Sequence, residues 1–325
     1  MIKRLITVIS PEFRPKDNLA AEAFLLDEIQ KGEMILYLWQ NDNTAVIGRN
    51  QNYYSELKLM NIARDHVSAV RRRSGGGAVY HDLGNLNYTF ITDDANYDVR
   101  RQSNVIVKAL QKRSIPVEVS GRNDLTVNGK KFSGNAYYHH KGFSYHHGTL
   151  LISSDLSKMG EYLNPGNEKM HSNGVKSIAA RVMNLNEIDP ALNVEIMKQL
   201  IIEAAQEEYG LTAESREYPD RSETKKHYRL FDSDDWIKGE NPPFDTLCES
   251  RFAWGGVRVE FKVDHGMVKD CTVWSDSMEP DLIDQIPVLL EGCEFSSEEL
   301  YEKLMSHADN LIYRDIAALI REQGY

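Results

Sequence analysis

Three arginines followed directly by three glycines, within Arg71-Arg72-Arg73-Ser74-Gly75-Gly76-Gly77, constrain this chain more than any other stretch. An apolar strand candidate at residues 67–70 precedes the run. Ala78-Val79-Tyr80-His81-Asp82-Leu83-Gly84-Asn85 follows it and reads as two strands around a turn, ending near residue 91. Consecutive glycines lose much backbone entropy on folding and weaken a strand. They suit positive φ, or a ligand lying on main-chain N–H groups. Guanidinium groups alongside make that ligand an anion, carboxylate or phosphate. A solvated basic turn ahead of a hairpin is the plain alternative, and the stretch alone leaves both open.

A second feature answers the first. Asn128-Gly129 is the strongest hairpin signal in the chain, and it delivers Lys130-Lys131-Phe132-Ser133-Gly134-Asn135-Ala136 on the returning strand. Simple alternation sets Lys131, Ser133 and Asn135 on one face, with Phe132, Gly134 and Ala136 on the other. A strand lysine is ordinarily a solvated edge residue; one that faces an anion loop is an anchor for phosphate or carboxylate. Polar loops Gly48-Arg49-Asn50-Gln51-Asn52 and Gly121-Arg122-Asn123-Asp124 add candidate site residues at strand ends. His139-His140 and His146-His147 raise a metal site, but neighbours on a strand point to opposite faces and neither pair can chelate as a unit.

Around these motifs the pattern predicts strands at 34–39 and 44–47 about the turn Asn41-Asp42-Asn43, and further strands at 117–119, 125–127 and 143–152. Helices are expected from Asp17 or Asn18 to 31, at 55–65, 97–114, 155–163 and 194–209, and over 222–239. Residues 164–176 form a polar Asn/Gly-rich stretch of the length seen in functional or disordered loops. Asn241-Pro242-Pro243-Phe244 breaks the chain, giving domains at 1–243 and 244–325. The second is a small α+β unit, a three-stranded meander followed by helices at 280–290, 297–306 and 311–322.

Charge narrows the partners. The net charge is −11; residues 245–325 hold 17 acidic and 7 basic side chains, and the rest hold 32 and 31. No basic stripe points to nucleic acid, and no apolar run reaches the roughly 18 residues of a membrane span. The N-terminus reads as a first strand rather than a signal peptide. Three dispersed cysteines, Cys248, Cys271 and Cys293, fit a reducing cytoplasm and no zinc or disulfide framework. There is no GxxxxGK[ST], GxGxxG or GxSxG. No cysteine precedes Cys248, so a thioester mechanism cannot be built in the first domain. What remains works by positioning and electrostatics, and attack of a carboxylate on the α-phosphate of ATP suits it, since two anions must be held together.

The segment RRRSGGGAVYHDLGN resembles the signature of the lipoate–protein ligase A family. LWQNDNTAVIGRNQN, GRNDLTVNGKKFSG, HHGTLL, KSIAARVMNL and RFAWGGVRVEF resemble further family segments in the same order, across nearly the whole chain. The resemblance implies an α+β fold: a biotin/lipoate ligase-type catalytic domain of mixed sheets flanked by helices, with a small C-terminal accessory domain. It implies a two-step ligase: lipoate, and octanoate as well, is activated by ATP with Mg²⁺ to an acyl-AMP. The acyl group then passes to a lysine of an apo lipoyl domain of a 2-oxoacid dehydrogenase complex, or of glycine cleavage H protein. Carried over by position, Lys131 is catalytic and touches both reactants. Arg72, Gly77, Ala78, Val79, Tyr80 and Lys131 bind ATP. Ser74, Gly75, Gly76, His147 and Lys131 bind lipoate, with Val79 and Phe90 as walls for the acyl chain. Arg49, His81, Asn85, Asn123, Asp124, Ser133 and Lys176 support the pocket, and Mg²⁺ arrives with ATP near Asp124, with no permanent metal. A cytoplasmic monomer is expected. Arg73 departs from the small polar residue common at its position in relatives. An ATP-independent acyltransferase, a biotin ligase and a non-catalytic binding protein are the rival readings.

Overall fold

The computed structural model describes residues 1–120, 124–164 and 181–325. Its strands are β1 (Arg4–Ile9), β2 (Glu33–Trp39), β3 (Thr44–Ile47), β4 (Ser68–Arg71), β5 (Val79–His81), β6 (Asn85–Asp93), β7 (Glu118–Ser120), β8 (Asp124–Val127), β9 (Lys130–His140), β10 (Phe143–Leu151), β11 (Ala213–Ser215), β12 (Thr246–Phe252), β13 (Gly255–Asp264) and β14 (Met267–Ser275). The helices are α1 (Pro15–Glu28), α2 (Tyr53–Glu56), α3 (Leu59–Arg64), α4 (Val99–Gln111), α5 (Ser157–Tyr162), α6 (Val194–Tyr209), α7 (Lys225–Asp232), α8 (Asp234–Lys238), α9 (Pro280–Leu290), α10 (Ser297–Met305) and α11 (Leu311–Gln323).

Two compact units result. The first comprises Met1–Val46, Tyr54–Arg72 and Val79–Ile237; the second comprises Ile47–Tyr53, Arg73–Ala78 and Lys238–Tyr325. An eight-stranded mixed sheet, ordered β11-β1-β2-β6-β10-β9-β8-β7, forms the centre of the first unit, with a small sheet β4-β3-β5 beside it. Both faces of the large sheet are covered. Leu36, Leu86, Tyr88, Phe90 and Phe132 pack against Val105, Ile106 and Ala109 of α4 and Met197 and Ile201 of α6. On the opposite face Ile35, Tyr37, Trp39, Ile91 and Tyr145 meet Leu19, Ala23 and Leu26 of α1 and Phe231 of α7. Burial on both sides explains the near-continuous apolar run of β2.

Several expectations shift for local reasons. Helix α1 starts at Pro15, whose fixed φ suits the first helical position, so neither Asp17 nor Asn18 is the cap. The segment at 55–65 splits into α2 and α3, and 222–239 into α7 and α8. Strands β2 and β3 are not a hairpin, nor are β5 and β6; β3 pairs with β5 in the small sheet instead. The Asn128-Gly129 turn is as expected: both residues take positive φ, 52° and 73°, the two-residue geometry that joins twisted strands.

In the second unit the β12-β13-β14 meander backs onto α9, α10 and α11 through Val259, Phe261, Ile283, Ile286, Leu300, Ile316 and Ile320. Cys248 and Cys271 are buried in this core, and Cys293 is partly exposed. Among the described residues no helix is long and apolar enough to cross a membrane.

Candidate active site

A single irregularity in β9 decides where Lys131 points. Leu125 of β8 stands opposite Ser133, but Thr126 stands opposite Lys131, so Phe132 is the extra residue of a β-bulge. Leu125, Val127 and Phe132 all enter the core under α4 and α6. Lys131 is thereby turned to the other face, with Asp124 and Gly134. Its Nζ lies 2.6 Å from Asp124 Oδ1, and both groups are about half-exposed. A Cβ added at Gly134 would sit 3.2 Å from Lys131 Cε and Nζ, so the missing side chain there makes room for the lysine. Main-chain bonds pin the bulge: Lys131 N–H donates to Arg181 O at 2.8 Å, and Lys131 O accepts from Met183 N–H at 3.0 Å.

The same face of the sheet carries a polar patch beneath α1. Asn85, Asn87 and Thr89 alternate along β6 and are all buried. Glu22, from α1, is 2% exposed. It accepts from Thr89 Oγ1 at 2.7 Å and pairs with His147 Nδ1 at 2.9 Å, while Trp39 Nε1 donates to Thr89 Oγ1 at 3.0 Å. Asn85 Nδ2 donates to Asn87 Oδ1 at 3.1 Å. Arg72, 7% exposed, reaches Val46 O at 3.4 Å. Burial pushes its guanidinium down to about 10, which leaves it a cation at neutral pH. His81, from the end of β5, is 3% exposed, and its ring stands edge-on to Trp39 with centroids 6.4 Å apart.

The remaining candidates distribute plainly. Val79 packs at the edge of the α1-side core. Tyr80 turns its ring onto Tyr162 and its hydroxyl onto Asn43 Oδ1, at 3.0 Å, so only its main chain is available to a nucleotide. In the second unit, Ser74 O accepts from Arg49 N–H at 3.0 Å and Gly76 N–H donates to Ser277 O at 3.0 Å. Gly76 has φ +87°, and a Cβ at Gly75 would lie 2.1 Å from Ser277 O, so neither position admits a side chain. At Gly77 a Cβ would meet nothing within 4 Å, and Ala78 completes the segment. Asn123 and Lys176 lie outside the described residues, as do most of residues 164–176.

Two expectations need correction. Ser133 does not share a face with Lys131, because the bulge leaves it opposite Leu125, and it is 1% exposed. Phe90 does not line the polar face; it is buried in the core under α4 and α6. Arg49, in the second unit, pairs with carboxylates there, Nη1 2.8 Å from Asp281 and Nη2 2.6 Å from Asp284. The same patch also brings in Glu22, Trp39, Asn41, Asn87 and Thr89, which motif reading did not assign to the site, although LWQNDNTAVIGRNQN spans Trp39 and Asn41. For Glu22 the signal in the sequence was a glutamate inside the apolar run of α1.

Two histidines in this unit make its stability pH-dependent. Burial drives His81 and His146 down to about 3, helped by the charges of Arg72 and His147 for His81 and of His147 for His146. Both are neutral when folded, whereas in the unfolded chain they titrate near 6.5. Between pH 6.5 and 3 the unfolded state binds more protons, so stability falls as pH drops through that window, by about 1.4 kcal/mol per unit for each histidine. Urea midpoints at about pH 7.5 and about pH 5 are expected to differ more in the wild type than in His146→Gln.

Comparison with known proteins identifies the family. Residues 14–220 match the family model of the lipoyl protein ligase A/B catalytic domain, and 241–319 match that of the bacterial lipoate protein ligase C-terminus. Lipoate-protein ligase A of Psychrobacter cryohalolentis is 38% identical, over 89% of this chain and 88% of that protein. The crystal structure of P. falciparum LipL1 in complex with lipoate superposes with a TM-score of 0.86 at 30% identity, covering 98% of this chain and 99% of that one. The bi-partite lipoate protein ligase of Thermoplasma acidophilum, studied with its E2 lipoyl domain, shares the fold at 23% identity, with a TM-score of 0.67 over 75% of this chain and 98% of that one. By family match, identity and fold together, the chain belongs to the lipoate–protein ligase A family.

Proposed function

We propose that this protein activates lipoate with ATP and transfers the lipoyl group to a lysine of an apo lipoyl domain. In the first step a lipoate carboxylate oxygen attacks the α-phosphorus of ATP, forming lipoyl-AMP and expelling pyrophosphate. In the second, the neutral ε-amine of the acceptor lysine attacks the acyl carbon; an amide forms, AMP leaves and one proton is released. Both reactants of the first step are anions, so their encounter needs fixed cations. The observation that carries the reading is the bulge in β9, which turns Lys131 onto the polar face shared with His147 and Glu22. There the ammonium can bridge the lipoate carboxylate and the α-phosphate, Arg72 supplies a further cation that is buried, and Val79 and Tyr80 offer main-chain groups to the nucleotide. Asp124 holds Lys131 until the substrates arrive, and its carboxylate would be a ligand for Mg²⁺ entering with ATP. Among the described residues no His, Cys, Asp and Glu cluster could hold a metal of its own.

An ATP-independent thioester route has less support. Cys248 and Cys271 are buried in the β-meander core, and burial pushes the Cys248 thiol up to about 12 and Cys271 higher still. The acceptor is inferred from the family and from the relative studied with an E2 lipoyl domain. Residues 1–243 would carry adenylation, and 244–325 would serve as the accessory domain. Purified protein with ATP, Mg²⁺ and lipoate is expected to release pyrophosphate and to label an apo lipoyl domain. Labelling from a lipoyl or octanoyl thioester without ATP, and none with ATP, would reject the reading.

A further inference from the structure

A chain of hydrogen bonds fixes which nitrogen of His81 carries the proton. Asn18 Oδ1 accepts from Ser10 Oγ at 2.6 Å and Tyr37 OH at 3.0 Å, so its Nδ2 faces Gln40 O at 2.7 Å and Asn41 Oδ1 at 3.0 Å as a donor. With its oxygen so engaged, Asn41 presents Nδ2 to His81 Nδ1, at 3.3 Å. Nδ1 therefore accepts, and the single proton of the neutral ring sits on Nε2. Among the described residues that Nε2–H has no partner, although it is buried. A buried donor left unmade is costly, which points to an acceptor supplied by a ligand.

Strand geometry says which part of a ligand reaches it. Lys131 lies over Gly134 on β9; Gly134 N–H donates to Thr149 Oγ1 of β10, Thr149 pairs in register with Asn87 of β6, and Asn87 pairs with Trp39 of β2. From β9 to β2 is three strand spacings, about 14 Å. Trp39 reaches back over β6, where its Nε1 donates to Thr89 Oγ1 at 3.0 Å, so an acid whose carboxylate sits at Lys131 and whose chain runs about 10 Å, two strand spacings, ends beside that ring and the edge-on ring of His81.

Resting on the lipoate reading above, we propose that His81 distinguishes a sulfur-bearing acyl substrate from a plain alkyl one: its Nε2–H donates to a ring sulfur of lipoate. Asn41 is the positioning residue that keeps the donor proton there. Octanoate has the same chain length and no acceptor at that end, so it leaves the donor unmade.

The test compares kcat/KM for pyrophosphate release with lipoate and with octanoate in wild type, His81→Phe and His81→Gln. The lipoate-to-octanoate ratio is expected to fall about five-fold in His81→Phe, mainly through KM for lipoate. His81→Gln keeps an N–H donor and is expected to recover most of the ratio. In ¹⁵N-histidine-labelled wild type, the His81 Nε2 resonance should be of the protonated type at neutral pH and should shift with lipoate but not with octanoate. That measurement decides the matter even if the variants fail to fold. A wild-type ratio in a folded His81→Phe, a proton found on Nδ1, or equal shifts with both acids would overturn the role of His81 and leave the ligase reading standing. Failure of the wild type to release pyrophosphate with either acid would instead remove that reading.

Discussion

Lys131→Ala is expected to lower lipoate-dependent pyrophosphate release by about a thousand-fold or more while leaving the melting temperature unchanged. The two halves of this expectation have separate causes. Lys131 is about half-exposed and its ion pair with Asp124 is equally open, so the pair contributes well under about 1 kcal/mol to stability. Its value lies in the reaction, where a carboxylate and a triphosphate must be brought within bonding distance against their mutual repulsion. Lys131→Arg is expected to recover little of the rate. The end of the lysine passes over Gly134 so closely that a Cβ there would stand 3.2 Å from Cε and Nζ, which leaves scant room for a planar guanidinium. Isotope exchange between pyrophosphate and ATP, measured beside thermal melts, checks both points. A wild-type exchange rate in Lys131→Ala would reject the assignment.

Gly84→Ala is expected to act in the opposite way, on the fold before the chemistry. Gly84 O accepts from Ile152 N–H and Ser153 N–H, both at 3.0 Å, which clamps the turn before β6 against the end of β10. A Cβ at Gly84 would lie 2.4 Å from Ser153 C and O and 2.5 Å from Ser154 N. These are main-chain atoms that cannot rotate away, so the turn must open or the strand end must shift, at a cost of about 2–3 kcal/mol. For a chain of this size that lowers the melting temperature by about 5 °C or more. Gly77→Ala is the internal comparison: the added Cβ meets nothing within 4 Å, so its melting temperature should stay near wild type. An unchanged melt for Gly84→Ala would mean that the clamp is looser than these distances indicate.

The two glycines show how a motif and a structure divide the explanation. RRRSGGGAVYHDLGN announces an anion site as a string, yet its glycines have different reasons. Gly75 and Gly76 are required by close packing on Ser277 and by positive φ, and Gly84 by the strand end, whereas a Cβ at Gly77 would have open space around it.

Much of the secondary structure was legible because it depends on short-range patterns. Helix α6 was bounded by its apolar spacing and the β8–β9 turn by Asn128-Gly129, and helix α9 begins at Pro280 as expected; the structure adds Asn193 as the cap of α6. Strand pairing was not legible in the same way. Nothing near residues 44–47 says that they pair with 79–81 rather than with 33–39, because that choice is made by packing between residues distant in the chain.

By itself, then, the sequence determined the family, the expected reaction and the identity of Lys131, Arg72 and the glycine run, because these rest on residue types in a fixed order. Only the tertiary structure decided which way those groups face. Simple alternation in β9 grouped Lys131 with Ser133, and a single extra residue at Phe132 separated the two, since pairing register and not spacing sets the face of a strand. Asn85 was a pocket candidate by resemblance alone, and Asn87 and Thr89 simply alternate with apolar residues along β6. They are buried because α1 lies across them and brings Glu22, and a helix about 60 residues upstream leaves no trace in the local pattern of β6. Burial is a property of the assembled layers, and it turned an alternating polar strand into the floor of the candidate site.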